Sequence, residues 1–333
     1  MSPEPPRLLV LRALGVGDLL TAVPSLVALA RAFPRHRRQL AAPCVLAPLL
    51  ELLPGGFTLV PTEPLARLSS SLARPAVGVN LHGRGPESSR VLLDARPRRL
   101  LSFFHPEVAE TEGMPGWRPG EHEVERWCRM LHELGVPAYP RQLDIHRPSG
   151  VAPRGTDGAT VIHPGAASPA RRWPAERFSA VARAERLHGR RVVITGSPDE
   201  VSLAREVAAQ AGLEDEMVLA GQTDLAALAR VVAAAGRVVC GDTGIAHLAT
   251  ALGTPSVVLF GPTSPLEWGP PADRPRHRVL WSETTGDPHG AEPDPGLLEI
   301  GPAAVIEALA RLPAGERLGP VNPGGKIVFT FVP

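Results

Sequence analysis

The sequence predicts a parallel α/β protein built as two Rossmann-like domains that face each other. Short apolar, strand-like runs alternate with helix-like runs of roughly 10–15 residues, the pattern of right-handed βαβ crossovers. The alternation fades through a polar stretch with Pro148, Gly150, Pro153, Gly155 and Gly158, then restarts more cleanly. A length of 333 residues with 44% hydrophobic content supplies core material for two domains at roughly 100–200 residues each. The expected division is residues 1–150, residues 151–312 and a Pro/Gly-rich tail over 313–333.

In chain order, residues 7–12 read as a buried strand, Gly15-Val16-Gly17-Asp18 as a turn, and 19–33 as one apolar helix. Strand-like pieces follow at 39–42, 57–60, 76–81 and 100–104, with helix-like pieces at 87–93 and 121–134. After the linker at 147–158, strands are expected at 159–163, 191–195, 237–240 and 256–260. Helices are expected at 175–188, 199–211, 225–235 and 245–252. Pro302 opens a last helix over 303–312. The tail, with its apolar run at 327–332, receives no assignment.

Composition narrows the chemistry. No apolar run reaches the ~18 residues of a membrane span; the longest, 40–53, is broken by Pro43, Pro48 and Glu51. Residues 1–6 lack the basic start and apolar stretch of a signal peptide, so a soluble cytoplasmic protein is expected. A net charge of +1 argues against a dedicated nucleic-acid binder. Lys326 is the only lysine, so there is no phosphate-loop Gly-Lys-Ser/Thr, and Schiff-base chemistry would need a lysine in the tail. Cys44, Cys128 and Cys240 stand far apart with no Cys-x-x-Cys pair, which gives neither a disulfide framework nor a zinc site. No metal and no cofactor are expected.

In open α/β sheets, ligands bind beyond the carboxyl ends of the strands. That points to the loops after Arg12, Leu81, His163, Thr195, Cys240 and Phe260. Gly15-Val16-Gly17-Asp18 is not a dinucleotide fingerprint: Leu20 stands where a third Gly belongs, and no acidic residue follows from 19 to 50. An NAD-dependent oxidoreductase is therefore disfavoured. The turn instead presents Asp18 at a helix start, where the alternative is a plain cap.

Cys240-Gly241-Asp242-Thr243-Gly244-Ile245-Ala246-His247 runs from strand into helix with the free N–H groups of an anion site. The glycines read as room for a ligand, and His247 sits one turn in. The loop after His163 carries Ser168, a phosphate hydrogen-bond donor, and Arg171 and Arg172, which neutralise phosphate. Trp173 reads as packing rather than a base-stacking platform. Thr263 and Ser264 are either donor contacts or turn residues. On the first half, His82 and Arg84, with Gly17 and with Arg96, Arg98 and Arg99 downstream, form a candidate acceptor side, a solvated basic face being the alternative.

These segments, in this order, resemble glycosyltransferase family 9, the ADP-heptose:lipopolysaccharide heptosyltransferase family. The matching pieces are Leu11 to Asp18 followed by Pro24, His163-Pro164-Gly165-Ala166 with Arg172-Trp173-Pro174, Thr195-Gly196-Ser197, and the block from Leu219 through Gly241 to His247 and on to Thr263. The resemblance implies a GT-B fold, with the donor mainly on the C-terminal domain and the last helix crossing back to the first. It implies inverting transfer without a bound metal. It makes Asp18 the general base, and it gives Asp242, Thr243, Gly244 and His247 contacts to the ADP part of the donor. Arg171 stands where the family usually has a phosphate-binding Lys. The implied partners are a nucleotide-sugar donor (ADP-heptose) and a glycan or small-molecule hydroxyl acceptor, with peripheral membrane contact left open. A non-catalytic nucleotide-sugar-binding protein on the same fold is the alternative.

Overall fold

The computed structural model describes residues 4–313; the tail expected over 313–333 lies outside them apart from its first residue. The first half carries β1 (Arg7–Leu11), α1 (Val16–Thr21), α2 (Val23–Ala32), β2 (Arg37–Ala42), α3 (Ala47–Leu50), β3 (Thr58–Pro61), β4 (Val77–Asn80), α4 (Glu87–Asp94), β5 (Arg99–Leu101) and α5 (Glu123–Glu133). The second carries β6 (Thr160–His163), α6 (Ala175–Leu187), β7 (Val192–Ile194), α7 (Val201–Ala211), α8 (Leu225–Ala234), β8 (Arg237–Gly241), α9 (Gly244–Leu252), β9 (Ser256–Leu259), α10 (Pro265–Trp268), β10 (His277–Leu280), α11 (Pro295–Glu299) and α12 (Pro302–Ala310).

Each half is a five-stranded, all-parallel sheet, ordered β3-β2-β1-β4-β5 and β10-β9-β8-β6-β7. Leu8 to Leu11 of β1 and Val238 to Cys240 of β8 are fully buried, because helices cover both faces of a parallel sheet. One apolar cluster runs from Leu8 and Val10 through Leu20, Ile245 and Leu248 to Val161 and Val238. It therefore crosses from one sheet's helices to the other's. The halves meet where α1 packs on α9, α3 on α8 and α5 on α10. His122 Nε2 to Gly269 O (3.0 Å) and Arg274 to Asp144 (2.8 Å) bridge the same seam.

Three expectations are corrected. The single helix over 19–33 is two, because Pro24 cannot donate an N–H and the chain starts α2 afresh from Ala22. The last helix, α12, does not cross back: it packs on α6, β9 and β10, burying Val305 and Leu309. An additional edge strand, β10, pairs with β9.

Candidate active site

Both sheets reverse strand order once, and those reversals place the site. In the first the switch lies between β1 and β4, so the loops holding Asp18 and His82 are neighbours. In the second it lies between β6 and β8, which joins the loop with Ser168 and Arg171 to the loop with Asp242 and Thr243. Crevices of this kind, outside the carboxyl ends, are where α/β sheets bind ligands.

Asp18 occupies the third position of α1. Its Oδ2 accepts the Gly15 N–H (3.2 Å), so it does cap the helix, and its Oδ1 accepts from Arg12 Nη2 (3.3 Å). The side chain nonetheless keeps 27% of its surface exposed. Behind it, Arg12 is 1% exposed and also donates to the Asp18 carbonyl (2.9 Å), Thr21 Oγ1 (3.2 Å), Glu123 Oε1 (2.9 Å) and the Leu81 carbonyl. His82, next to Leu81, feels both charges. Burial pulls its imidazole below the usual range, Arg12 pulls the same way, and Asp18 opposes. Arg84 is exposed on the same loop.

On the facing half, α9 starts after Thr243 with no side-chain cap; the Ala246 N–H turns back to the Thr243 carbonyl (2.9 Å), which leaves the N–H groups of Gly244 and Ile245 to an outside acceptor in the positive field of the helix end. Asp242 is buried. Burial pushes its carboxyl above the usual range, while His247, Arg171 and a hydrogen bond from Thr263 act against that. Arg171 Nη1 donates to the Asp242 carbonyl (3.2 Å) and lies 3.8 Å from its carboxylate. Its buried Nε has no partner among the described residues. His247 is half-buried, its imidazole pulled down chiefly by burial and raised by Asp242. It meets Trp268 edge-on at 6.0 Å.

A single contact brings the two halves of the site together. A Cβ on Gly17 would lie 2.9 Å from His247 Cδ2 and 3.8 Å from Gly244 Cα; one on Gly244 would lie 2.9 Å from Val16 Cβ. The turn that carries the carboxylate therefore rests directly on the helix start that carries the free amides. This corrects the reading of these glycines as ligand space. Gly244 makes room for α1, and Gly241 makes room for the Arg171 carbonyl, 2.9 Å from where its Cβ would be.

Other expected residues land elsewhere. The Ser168 hydroxyl donates to the Gly290 carbonyl (3.2 Å), so its proton is already committed. Ser264 caps α10 through Leu266 N (3.2 Å), whereas Thr263 supports Asp242. Trp173 is buried core, its Nε1 on the Ile300 carbonyl and its ring edge-on to Phe178. Arg96, Arg98 and Arg99 precede or open β5, at the far end of the sheet from His82, and do not join the acceptor side. Arg12 and Glu123 were not anticipated. The available signal was an arginine ending an otherwise apolar strand. Among the described residues no group of three or more His, Cys, Asp or Glu side chains gathers as a metal would require.

The model of glycosyltransferase family 9 (heptosyltransferase) matches residues 116–292, more than half of the chain. The chain belongs to glycosyltransferase family 9. This family 9 protein is 26% identical over 356 residues to lipopolysaccharide heptosyltransferase 2 of Salmonella typhimurium, covering 93% of this chain and 99% of that one. Its fold is GT-B. It superposes on the family 9 glycosyl transferase of Veillonella parvula with a TM-score of 0.76 at 22% identity, covering 93% and 98% of the two chains. It superposes on E. coli ADP-heptose lipopolysaccharide heptosyltransferase II with a TM-score of 0.71 at 24% identity, covering 91% and 97%. The protein is a glycosyltransferase. Among its described residues no helix is long and apolar enough to cross a membrane.

Proposed function

We propose that this glycosyltransferase moves a heptose from ADP-heptose to a hydroxyl of a lipopolysaccharide-type glycan, with inversion and without a metal ion. Residues 1–150 form the acceptor side and 151–312 the donor side. The observation that carries the reading is the Gly17–Gly244–His247 contact, which sets a partly exposed carboxylate beside an uncapped helix start. The relatives' names, heptosyltransferase and ADP-heptose, supply the sugar and the nucleotide.

In this reading the diphosphate lies at the start of α9, against Gly241, Asp242, Thr243 and Gly244, with Arg171 beside it and His247 behind. Asp242 holds Arg171 in place through its carbonyl and carboxylate. Ser168 contributes its oxygen and the shape of its loop. The acceptor enters past Gly17, His82 and Arg84. Asp18 takes the proton of the attacking hydroxyl as the new C–O bond forms opposite the departing ADP. General-base assistance is worth typically about 10²–10⁴-fold. Fixed amides and Arg171 meet the negative charge that grows on the leaving diphosphate, so they favour the transition state over the ground state. A donor activated by a nucleotide suits a cytoplasmic enzyme that meets a membrane only peripherally, through its acceptor.

The test is a panel of nucleotide sugars scored by thermal stabilisation and transfer, with the product's anomeric configuration read by NMR and the reaction repeated in chelator. ADP-heptose is expected to stabilise most, the product to be inverted and the rate to survive the chelator. Preference for a uridine or guanosine donor, retention, or loss of rate in chelator would each overturn the corresponding part.

A further inference from the structure

Arg12 is the most thoroughly bonded side chain of the site, yet it is buried where it cannot meet a substrate. Taking a guanidinium out of water costs several kcal/mol unless it is paired and hydrogen-bonded throughout. Here Nε, Nη1 and Nη2 all donate, and the five acceptors come from three other segments: α1 (the Asp18 carbonyl and carboxylate and the Thr21 hydroxyl), the end of β4 (the Leu81 carbonyl) and α5 (Glu123). The Arg12 carbon also lies 5.1 Å over the Trp127 ring.

The two carboxylates it touches are not equivalent. Glu123 is the closer, at 2.9 Å against 3.3 Å for Asp18. Glu123 is buried and further fixed by Trp127 Nε1 (2.7 Å) and by Arg126. Burial would raise its carboxyl, but Arg12, Trp127 and Arg126 together hold it below the usual range. Asp18, by contrast, reaches the surface.

We propose that Arg12, with its charge balanced by Glu123, is the positioning residue of the transfer: it fixes where the Asp18 carboxylate stands without having that carboxylate as its only counter-ion. The guanidinium orients Asp18 through side chain and main chain at once. Glu123 keeps the pair from closing into a private Arg12–Asp18 salt bridge that would occupy the base. The inference rests on the reading of Asp18 as base.

The test uses the full chain, with ADP release from ADP-heptose onto truncated lipopolysaccharide giving kcat and donor KM, and calorimetry giving ADP affinity. Arg12→Met is expected to lower kcat about 100-fold, the cost of a misplacement near 1 Å, with donor KM and ADP affinity within twofold. Arg12→Lys is expected to recover at least tenfold of that loss. Glu123→Gln, which keeps the shape and removes the charge, is expected to lower kcat about tenfold at unchanged KM. If the Arg12 variants lose ADP binding and so have not folded, Glu123→Gln alone decides. Unchanged kcat in Glu123→Gln, Lys no better than Met, or kcat and KM moving in parallel would each overturn the proposal. Asp18→Asn separates the two ideas. Full turnover in Asp18→Asn defeats the base reading itself, whereas an inactive Asp18→Asn beside unimpaired Arg12 and Glu123 variants defeats only this inference.

Discussion

Gly244→Ala probes the seam on which the site depends. The new methyl carbon would start 2.9 Å from Val16 Cβ and 3.2 Å from Val16 Cγ1, with Gly17 N at 3.5 Å. Carbon pairs settle at about 3.5–4.0 Å, so the starts of α1 and α9 must part by roughly 0.6–1 Å. Val16 cannot swing clear, because its Cβ is fixed to the backbone. Overpacking of this kind costs about 1–3 kcal/mol, and replacing a helical glycine by alanine returns up to about 1 kcal/mol. Stability should therefore fall by no more than about 3 kcal/mol. Activity should suffer more, since the shift separates the Asp18 turn from the amides of α9, and a misplacement near 1 Å can cost about 100-fold. Urea unfolding and steady-state kinetics on the same preparation measure both. A variant with wild-type kcat and ADP affinity would show that the two helix starts need not touch in the working enzyme, and the argument from this contact would fail.

Two further outcomes are expected. Burial, joined by Arg274 and Arg276, lowers the His277 imidazole from 6.5 to about 4, whereas in the unfolded chain it protonates near 6.5. Its contribution is thus intact above that value and lost as pH falls from 6.5 through 4, about 2–3 kcal/mol between pH 7 and 4.5. His277→Gln should flatten that much of the acid slope in urea midpoints, and an unchanged slope would contradict it. Arg171→Ala should weaken ADP binding about 10–100-fold, the worth of a charge-assisted hydrogen bond, with Arg171→Lys in between; equal affinity in calorimetry would remove Arg171 from the donor site.

The sequence made most of the framework readable because parallel strands buried on both faces leave unbroken apolar runs, such as Leu8 to Leu11 and Val238 to Cys240. It hid β10, whose His277 and Arg278 read as polar edge, and α3, α10 and α11, each too short to show a period. The strand-to-helix loops with Asp18 and with Asp242 were legible as sites because polarity and glycine there interrupt apolar elements. What those glycines are for was not legible. Their neighbours, Val16 and His247, belong to the opposite half, and no local spacing reports a contact across more than 200 residues. The same holds for Arg12 and Glu123, which lie 111 residues apart in a chain rich in arginine. Asp18 shows a third limit: a cap and a base need the same residue at the same position, and only its surroundings tell how much carboxylate is left over.

The central claim is that a carboxylate on one half removes a proton while the other half holds the departing nucleotide. Asp18→Asn tests it most directly, with sugar transfer and ADP affinity measured on one sample. Transfer is expected to drop by about 10²–10⁴-fold with ADP bound as tightly as before. Transfer at the wild-type rate, or ADP affinity lost together with activity, would contradict it.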